Sequence, residues 1–399
     1  MIGYSDELTD ITTTVEKQEG VIFAKSAIVY RQMYSGQDIL APNSSFTTDK
    51  MDNRGYLPVE WWIISLVTAE NTIKKEKEGL TVLLCEKEIL ITNAVKIAEK
   101  QLFGDYLDKW PLTKVLDIGG DKVVPEYDTG LGEAEIPPIP CHVHAGCVKD
   151  GKCQGQGKDE AYFFPPLNVR PYNKIMPPVK TRIGIKPDTQ KETVIASLAQ
   201  YGRNDVMYSL LQVHDVYPWS SWMIPAKVVH APGPWVTFEI QRPQDDFNLL
   251  AWRMGSKIQS DYLQTHKQDL QLRGLVDEKN LFEQTIDWEM NIQPTLIDKL
   301  SQKCKVLEEG TWGKKLQIFY HLFYGEGLII APGQSVKLNK CEKPRGGICW
   351  SGYGKVNKLD LLCTSVTQRE FLVTPYGNLH IENSSTDAEL IIFLVLPIV

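Results

Sequence analysis

The chain has 399 residues, with 43 Lys+Arg against 50 Asp+Glu for a formal net charge of −7, and its 43% hydrophobic content is that of an ordinary globular protein. Its length predicts two or three domains at roughly 150 residues each, no run approaches the roughly 18–20 apolar residues of a membrane helix, and MIGYSDELTD lacks the segments of a signal peptide. The absence of a Lys/Arg-rich block argues against nucleic acid, and eight scattered cysteines read as reduced thiols, so a cytoplasmic protein with neither membrane nor nucleic-acid partner is expected.

Residues 1–75 are mixed in texture. Val59 to Glu70 (VEWWIISLVTAE) is apolar throughout, and periodicity does not decide between helix and buried strand. LTVLLC reads as a strand. Lys87 to Leu102 carries apolar residues at Ile89, Ile91, Val95, Ile97 and Leu102, a pattern that favours a helix. From Val115 short β-type runs are broken by Gly and Pro, and AYFFPPLNVRPYNKIMPP holds too many prolines for helices. Thr193 to Tyr201 is expected as a short helix. Four or five strands follow from Val206 to Gln241, with alternation clearest in WVTFEIQ.

Residues 254–305 interleave polar and apolar residues at helical spacing, and β texture returns from Thr311 to the end. Two β-rich blocks around a helical segment predict a mainly β chain of two antiparallel barrels or jelly rolls. The expected division is a mixed segment at 1–111, a metal-binding barrel at 112–253, a helical insertion at 254–310 and a second, metal-free barrel at 311–399.

Of seven histidines, two lie two residues apart in CHVHAG. Strand alternation puts His142 and His144 on one face, which is half of a metal site. Glu160 follows in KDEAYFF, with Asp159 facing the opposite way, and His230 precedes a turn in VVHAPGPW. Three His and one Glu suit one divalent first-row ion, zinc foremost, with Fe, Mn, Co or Ni also compatible. Asp159 or a glutamine of the GKCQGQGK loop is the alternative to Glu160. His214, His266 and His321 are expected to be core or surface residues. Cys141, Cys147 and Cys153 offer a weaker zinc-knuckle reading, since C-x5-C-x5-C is not the compact CxxC form.

This arrangement resembles the cupin superfamily, whose first motif is G-x5-H-x-H-x3-4-E-x6-G and whose second carries another His after a Pro-x-Gly turn. HAPGPWVTFEIQRPQDDF is similar to a stretch of the type I mannose-6-phosphate isomerases, where a metal-binding His-Ala precedes a strand acid (here Glu239) and an Asp (here Asp245). The resemblance covers roughly residues 112–255 and 315–399. Three departures stand out. Fifteen residues separate His144 from Glu160, the turn before His230 reads Pro225-Ala226-Lys227, and Leu249 stands where those isomerases carry an Arg. Arg242 and Arg253 are the nearest arginines. The second block has a Pro-x-Gly-x-x-His match at Pro375, Gly377 and His380 without an HxH partner, so His380 is expected to be structural.

The resemblance implies a metal-dependent aldose–ketose isomerase for a sugar or sugar phosphate. Such chemistry needs a Lewis acid and a base that moves a proton between adjacent carbons. Glu239 is the candidate base, and Lys158, Arg242 and Arg253 are the candidate cations for an enediolate or a phosphate. Tyr162, Trp219, Trp222 and Trp235 would either wall a sugar or fill the core. A cupin-type oxygenase or decarboxylase and a non-catalytic sugar-binding bicupin are the alternatives, and a homodimer is compatible with all three.

Overall fold

The computed structural model describes residues 2–31, 52–71, 73–116, 140–166, 179–201, 206–232, 236–246, 248–251, 267 and 270–399. Every strand pair among them is antiparallel. The chain is mainly β, as expected, and of jelly-roll character. Its blocks are facing open sheets, and among the described residues none of the sheets closes into a barrel.

Four sheets stack as layers. A five-stranded sheet orders Leu211–Val216, Val179–Ile185, His230–Ala231, Cys141–Val143 and Asn248–Ala251. Facing it, a seven-stranded sheet orders Ser301–Lys303, Ser220–Ile224, Glu160–Phe164, Thr237–Gln241, Leu112–Leu116, Leu57–Ile63 and Ala27–Arg31. Behind that lies a nine-stranded sheet built around Leu390–Val395, Arg345–Ser351 and Glu370–Val373. A four-stranded sheet covers its far side, with strands at Ser335–Leu338, Leu379–Asn383, Tyr353–Val356 and Leu359–Leu362.

Period-two alternation builds these layers. In Leu390–Val395, Ile391, Phe393 and Val395 enter the core shared with the seven-stranded sheet. Leu390, Ile392 and Leu394 enter the core shared with the four-stranded one. A strand buried on both faces needs a continuous apolar run, which ELIIFLV supplies. Phe393 is the pivot of the first interface, with ring centroids 5.1 Å from Phe163, 5.3 Å from Phe238 and 5.2 Å from Trp350.

The same double burial resolves the ambiguous apolar stretch as the strand Leu57–Ile63. Trp61 and Ile63 enter the large core, while Glu60 and Trp62 point the other way. Two adjoining strands stitch the N-terminal region into both blocks. Val21–Lys25 pairs with Glu370–Val373 of the nine-stranded sheet, and Ala27–Arg31 pairs with Leu57–Ile63 of the seven-stranded sheet.

The helix expected over Lys87–Leu102 begins later. Glu88–Leu90 is a strand, and the helix spans Ile91–Phe103, burying Ile91, Ala94, Ala98 and Leu102 at helical spacing. The short helix near Thr193 spans Lys191–Leu198. Val206–Ser209 is a helical turn and not a strand, with Met207 and Tyr208 buried against the back of the five-stranded sheet. Within the segment expected to be helical, Glu278–Thr285, Trp288–Asn291 and Leu296–Leu300 are helices, whereas Ser301–Lys303 and Lys305–Gly310 are strands. Of the described residues, no helix is long and apolar enough to cross a membrane.

Candidate metal centre and its charged wall

The five-stranded sheet delivers the histidines. His142 lies opposite His230 in the register between Cys141–Val143 and His230–Ala231, with ring centroids 4.1 Å apart. His144 follows just past the strand end and keeps its ring 5.0 Å from that of His142, as the alternation of CHVH demands. Glu160 opens the facing strand Glu160–Phe164 and reaches across the gap. Its Oε2 lies 3.0 Å from His144 Nε2 and its Oε1 3.0 Å from His230 Nε2.

The long insertion between His144 and Glu160 does not disturb this convergence. It forms the hairpin Cys147–Lys149/Lys152–Gln154 and returns through Gly157. A Cβ on Gly157 would stand 2.0 Å from the His144 carbonyl oxygen, so only glycine lets the returning chain pass the ligand backbone.

Whether these four side chains suit a cation is answered by their protons. Each imidazole has its Nδ1 against a backbone carbonyl: His142 on Pro140 (2.7 Å), His144 on Asp246 (2.8 Å) and His230 on Val228 (2.8 Å). Nδ1–H donation fixes the tautomer and leaves Nε2 as a lone-pair donor, the outer-shell pattern of metal-bound histidines. The Nε2 atoms of His144 and His230 are buried and near Glu160, but without hydrogen-bond alignment to any partner. Ligand atoms of all four residues lie within 4.8 Å of one another. Burial drives His142 well below the ordinary imidazole range and His144 down to about 3, so both are neutral. Burial raises the Glu160 carboxyl, but the polar groups around it, the Lys158 ammonium among them, outweigh burial and hold it well below the carboxylate range. Neutral imidazoles and an ionised carboxylate are the forms that bind a divalent ion.

The seven-stranded sheet supplies a charged wall beside this centre. On alternate positions, Arg31, Glu60, Lys114, Glu160, Tyr162 and Glu239 face the cavity, while Trp61, Val115, Ala161, Phe163, Phe238 and Ile240 enter the core. Glu239 pairs in register with Lys114 and Tyr162 and is 1% exposed. Lys114 Nζ lies 3.2 Å from Glu239 Oε1 and 3.8 Å from Glu60 Oε2. Burial lifts Glu239 to about 8, against the pull of Lys114. Burial also lowers Lys114, but Glu239 and Glu60 outweigh it and keep the amine charged.

Lys158 is brought to the site as well. Its Nζ donates to Gln241 Oε1 at 2.8 Å and lies 3.7 Å from Glu160, while burial and Lys114 lower its pKa. Asp245 lines the cavity and is gripped by Arg31, whose Nη2 donates to both carboxylate oxygens at 2.9 and 2.8 Å. Arg31 also binds Glu60, with Nε–Oε1 at 2.8 Å.

Other expectations fall elsewhere. Asp159 accepts the Ala226 N–H and pairs with Arg242 at 3.1 Å, so neither residue reaches the cavity, and Glu160 is the carboxylate that joins the histidines. Leu249 lines the cavity across from His142. Tyr162 lines it too, whereas Trp219 packs on Phe163 and Phe393, and Trp222 is buried between the sheets. Arg253, Trp235 and His266 lie outside the described residues. His214 meets the Ile183 carbonyl, His321 meets Gln302, and His380 meets Glu382 at 3.4 Å. The three knuckle cysteines do not gather: Cys141 is buried in its strand, Cys147 is exposed, and Cys153 donates to the Gln284 carbonyl.

Arg31, Glu60 and Lys114 are site residues that sequence reasoning missed. Each is a charge inside or ending an apolar strand run (AIVYR, LPVEWWI, PLTKVL), and a charge so placed must be paired when buried.

Comparison with solved structures gives the fold independently. The chain is similar to the mannose 6-phosphate isomerase of Bacillus subtilis, with TM-score 0.56 and 14% identity over 94% of this chain and 99% of that one. It is similar to a point variant of phosphomannose isomerase from Salmonella typhimurium, with TM-score 0.52 and 10% identity over 95% of this chain and 99% of that one. A mannose 6-phosphate isomerase bound with zinc and yttrium matches at TM-score 0.50 and 10% identity, over 94% and 99% of the two chains. The chain has the fold of these enzymes. No protein-family profile matches the chain, and no curated protein matches it in sequence.

Proposed function

We propose that this chain is a metal-dependent aldose–ketose isomerase, cytoplasmic and acting on a sugar or sugar phosphate. The observation that carries the reading is the pairing of a carbonyl-locked His3Glu set with a buried, proton-hungry carboxyl, Glu239, across one cavity. The fold shared with mannose 6-phosphate isomerases, one of them bound with zinc, supports it.

His142, His144, Glu160 and His230 would hold the ion. Once bound, a divalent ion supplies Lewis-acid polarisation of neighbouring substrate oxygens. Glu239 then serves as the base that takes a proton from one carbon and returns it to the next, since a carboxyl near about 8 can both accept and release a proton around neutrality. Lys114 holds that carboxylate at 3.2 Å and stabilises it once ionised. Lys158, held by Gln241, offers an ammonium donor to negative charge developing on a substrate oxygen. Arg31 and Asp245 position the wall, because Arg31 ties Asp245 to Glu60 and Asp245 also accepts the Glu70 N–H.

The test is an aldose and ketose panel, with and without phosphate, run after loading with Zn, Fe, Mn, Co or Ni in turn. Interconversion that proceeds equally without O₂ is expected. Turnover that requires O₂ would replace this reading with an oxygenase, and sugar binding without turnover would replace it with a binding protein.

A further inference from the structure

Away from the cavity, in the layer between the nine- and four-stranded sheets, two thiols face each other. Cys349 is buried in the strand Arg345–Ser351, and Cys363 is half-buried just after the strand Leu359–Leu362. Their side chains are neighbours, and each shifts the titration of the other. Both residues also converge on one carbonyl: Gly352 O lies 3.6 Å from Cys349 Sγ and accepts the Cys363 N–H at 3.2 Å. The convergence depends on Gly352, which turns the chain between strands at φ +91°, a conformation that L side chains rarely adopt.

The buried guanidinium of Arg369 completes the cluster. It stacks 3.3 Å over the Trp61 ring, its carbonyl accepts the Cys349 N–H at 2.8 Å, and its charge acts on both sulfurs. The two sulfurs are electronically unequal. The neighbouring Cys349 side chain, with Arg369 assisting against burial, brings Cys363 down to about 6, whereas burial keeps Cys349 a thiol. A partly accessible thiolate beside a buried thiol is the arrangement of an attacking and a resolving cysteine.

We propose that Cys363 and Cys349 form a hydroperoxide-sensitive dithiol that closes reversibly to a disulfide. The Cys363 thiolate attacks the distal oxygen of a hydroperoxide; the O–O bond breaks, Cys363 becomes a sulfenic acid, and the alkoxide leaves as an alcohol with a proton from water. The Cys349 sulfur then attacks the sulfenic sulfur. The S–S bond forms, the S–O bond breaks, and the hydroxyl leaves as water with the Cys349 proton. Two thiols are oxidised by two electrons and one hydroperoxide is reduced. The new bond would fasten the strand Arg345–Ser351 to the turn after Leu362, and an excess of dithiol would release it.

The test treats the full-length protein with one equivalent of hydrogen peroxide, alkylates the remaining thiols and maps peptides by mass. A Cys349–Cys363 cross-link, with the other six cysteines alkylated and full reversal by dithiothreitol, is expected. In Cys349→Ser a dimedone adduct should accumulate on Cys363. Without peroxide, alkylation of wild-type Cys363 should be half-maximal near pH 6 and not near the ordinary thiol value of about 8.5. A wild-type Cys363 that stays alkylatable after peroxide, a cross-link to any other cysteine, or an ordinary alkylation midpoint would overturn the proposal even if the variant does not fold.

Discussion

Glu239 and Lys114 face each other on neighbouring strands with almost no water access, so burial and one ionic contact compete over the Glu239 proton. Burial favours the neutral carboxyl and Lys114 favours the carboxylate, so the group titrates close to about 8. Only the carboxylate can accept a proton, so the rate should rise with pH toward about 8 and level off above it. Positive charge at the neighbouring centre can only move that midpoint down. Glu239→Gln keeps the shape and removes the base; turnover should fall about a hundredfold to ten-thousandfold while bound metal, measured by elemental analysis, stays at the wild-type level. Loss of metal in that variant would instead make Glu239 part of the ion site.

At the scale of elements, the site depends on strands brought together from distant parts of the chain. Arg31 ends the strand Ala27–Arg31, lies 214 residues from Asp245, and neutralises both Asp245 and Glu60. Removing it leaves buried Asp245 without its countercharge and Glu60 with Lys114 alone, which costs about 3–5 kcal/mol by the precedent of broken buried ion pairs. Arg31→Met should therefore lower the denaturant midpoint substantially, and Arg31→Lys should recover only part of the loss, because an ammonium lacks the fork whose Nε and Nη2 hold Glu60 and Asp245 together. An unchanged midpoint would mean that Arg31 does not support the wall. The sequence made some of this legible. CHVH alternates, so both rings share a face, whereas alternation in TFEIQ leaves Glu239 facing either the cavity or solvent. Arg31 was not legible, because nothing local links it to Asp245 and only the sheet order joins them. The helix boundary near Ile91 and the strands at 301–310 escaped for a related reason. Pairing partners, and not local periodicity, turned Glu88–Leu90 and Ser301–Lys303 into strands.

For the molecule as a whole, the four-layer stack explains why a rather average composition can carry a buried cluster of charged side chains. Apolar faces meet on both sides of the nine-stranded sheet, and between the two inner sheets the apolar packing of Phe164, Trp222 and Ile183 gives way to a polar face that opposes the histidines. Phe393 joins the layers, and Phe393→Ala should cost about 3–5 kcal/mol of unfolding free energy in a denaturant titration. A loss below 1 kcal/mol would show that the sheets do not depend on this interface. The mainly β character was readable from Pro, Gly and alternation. The open form of the sheets was not, since closure depends on edges that sequence does not mark. The central claim is that one divalent ion sits between the two inner sheets, and elemental analysis of purified wild-type, His142→Ala and His230→Ala proteins tests it most directly. About one ion per wild-type chain and near-complete loss in both variants is the predicted result; retention of the ion in both variants, or a wild-type chain that takes up none from any of the five metals, would contradict it.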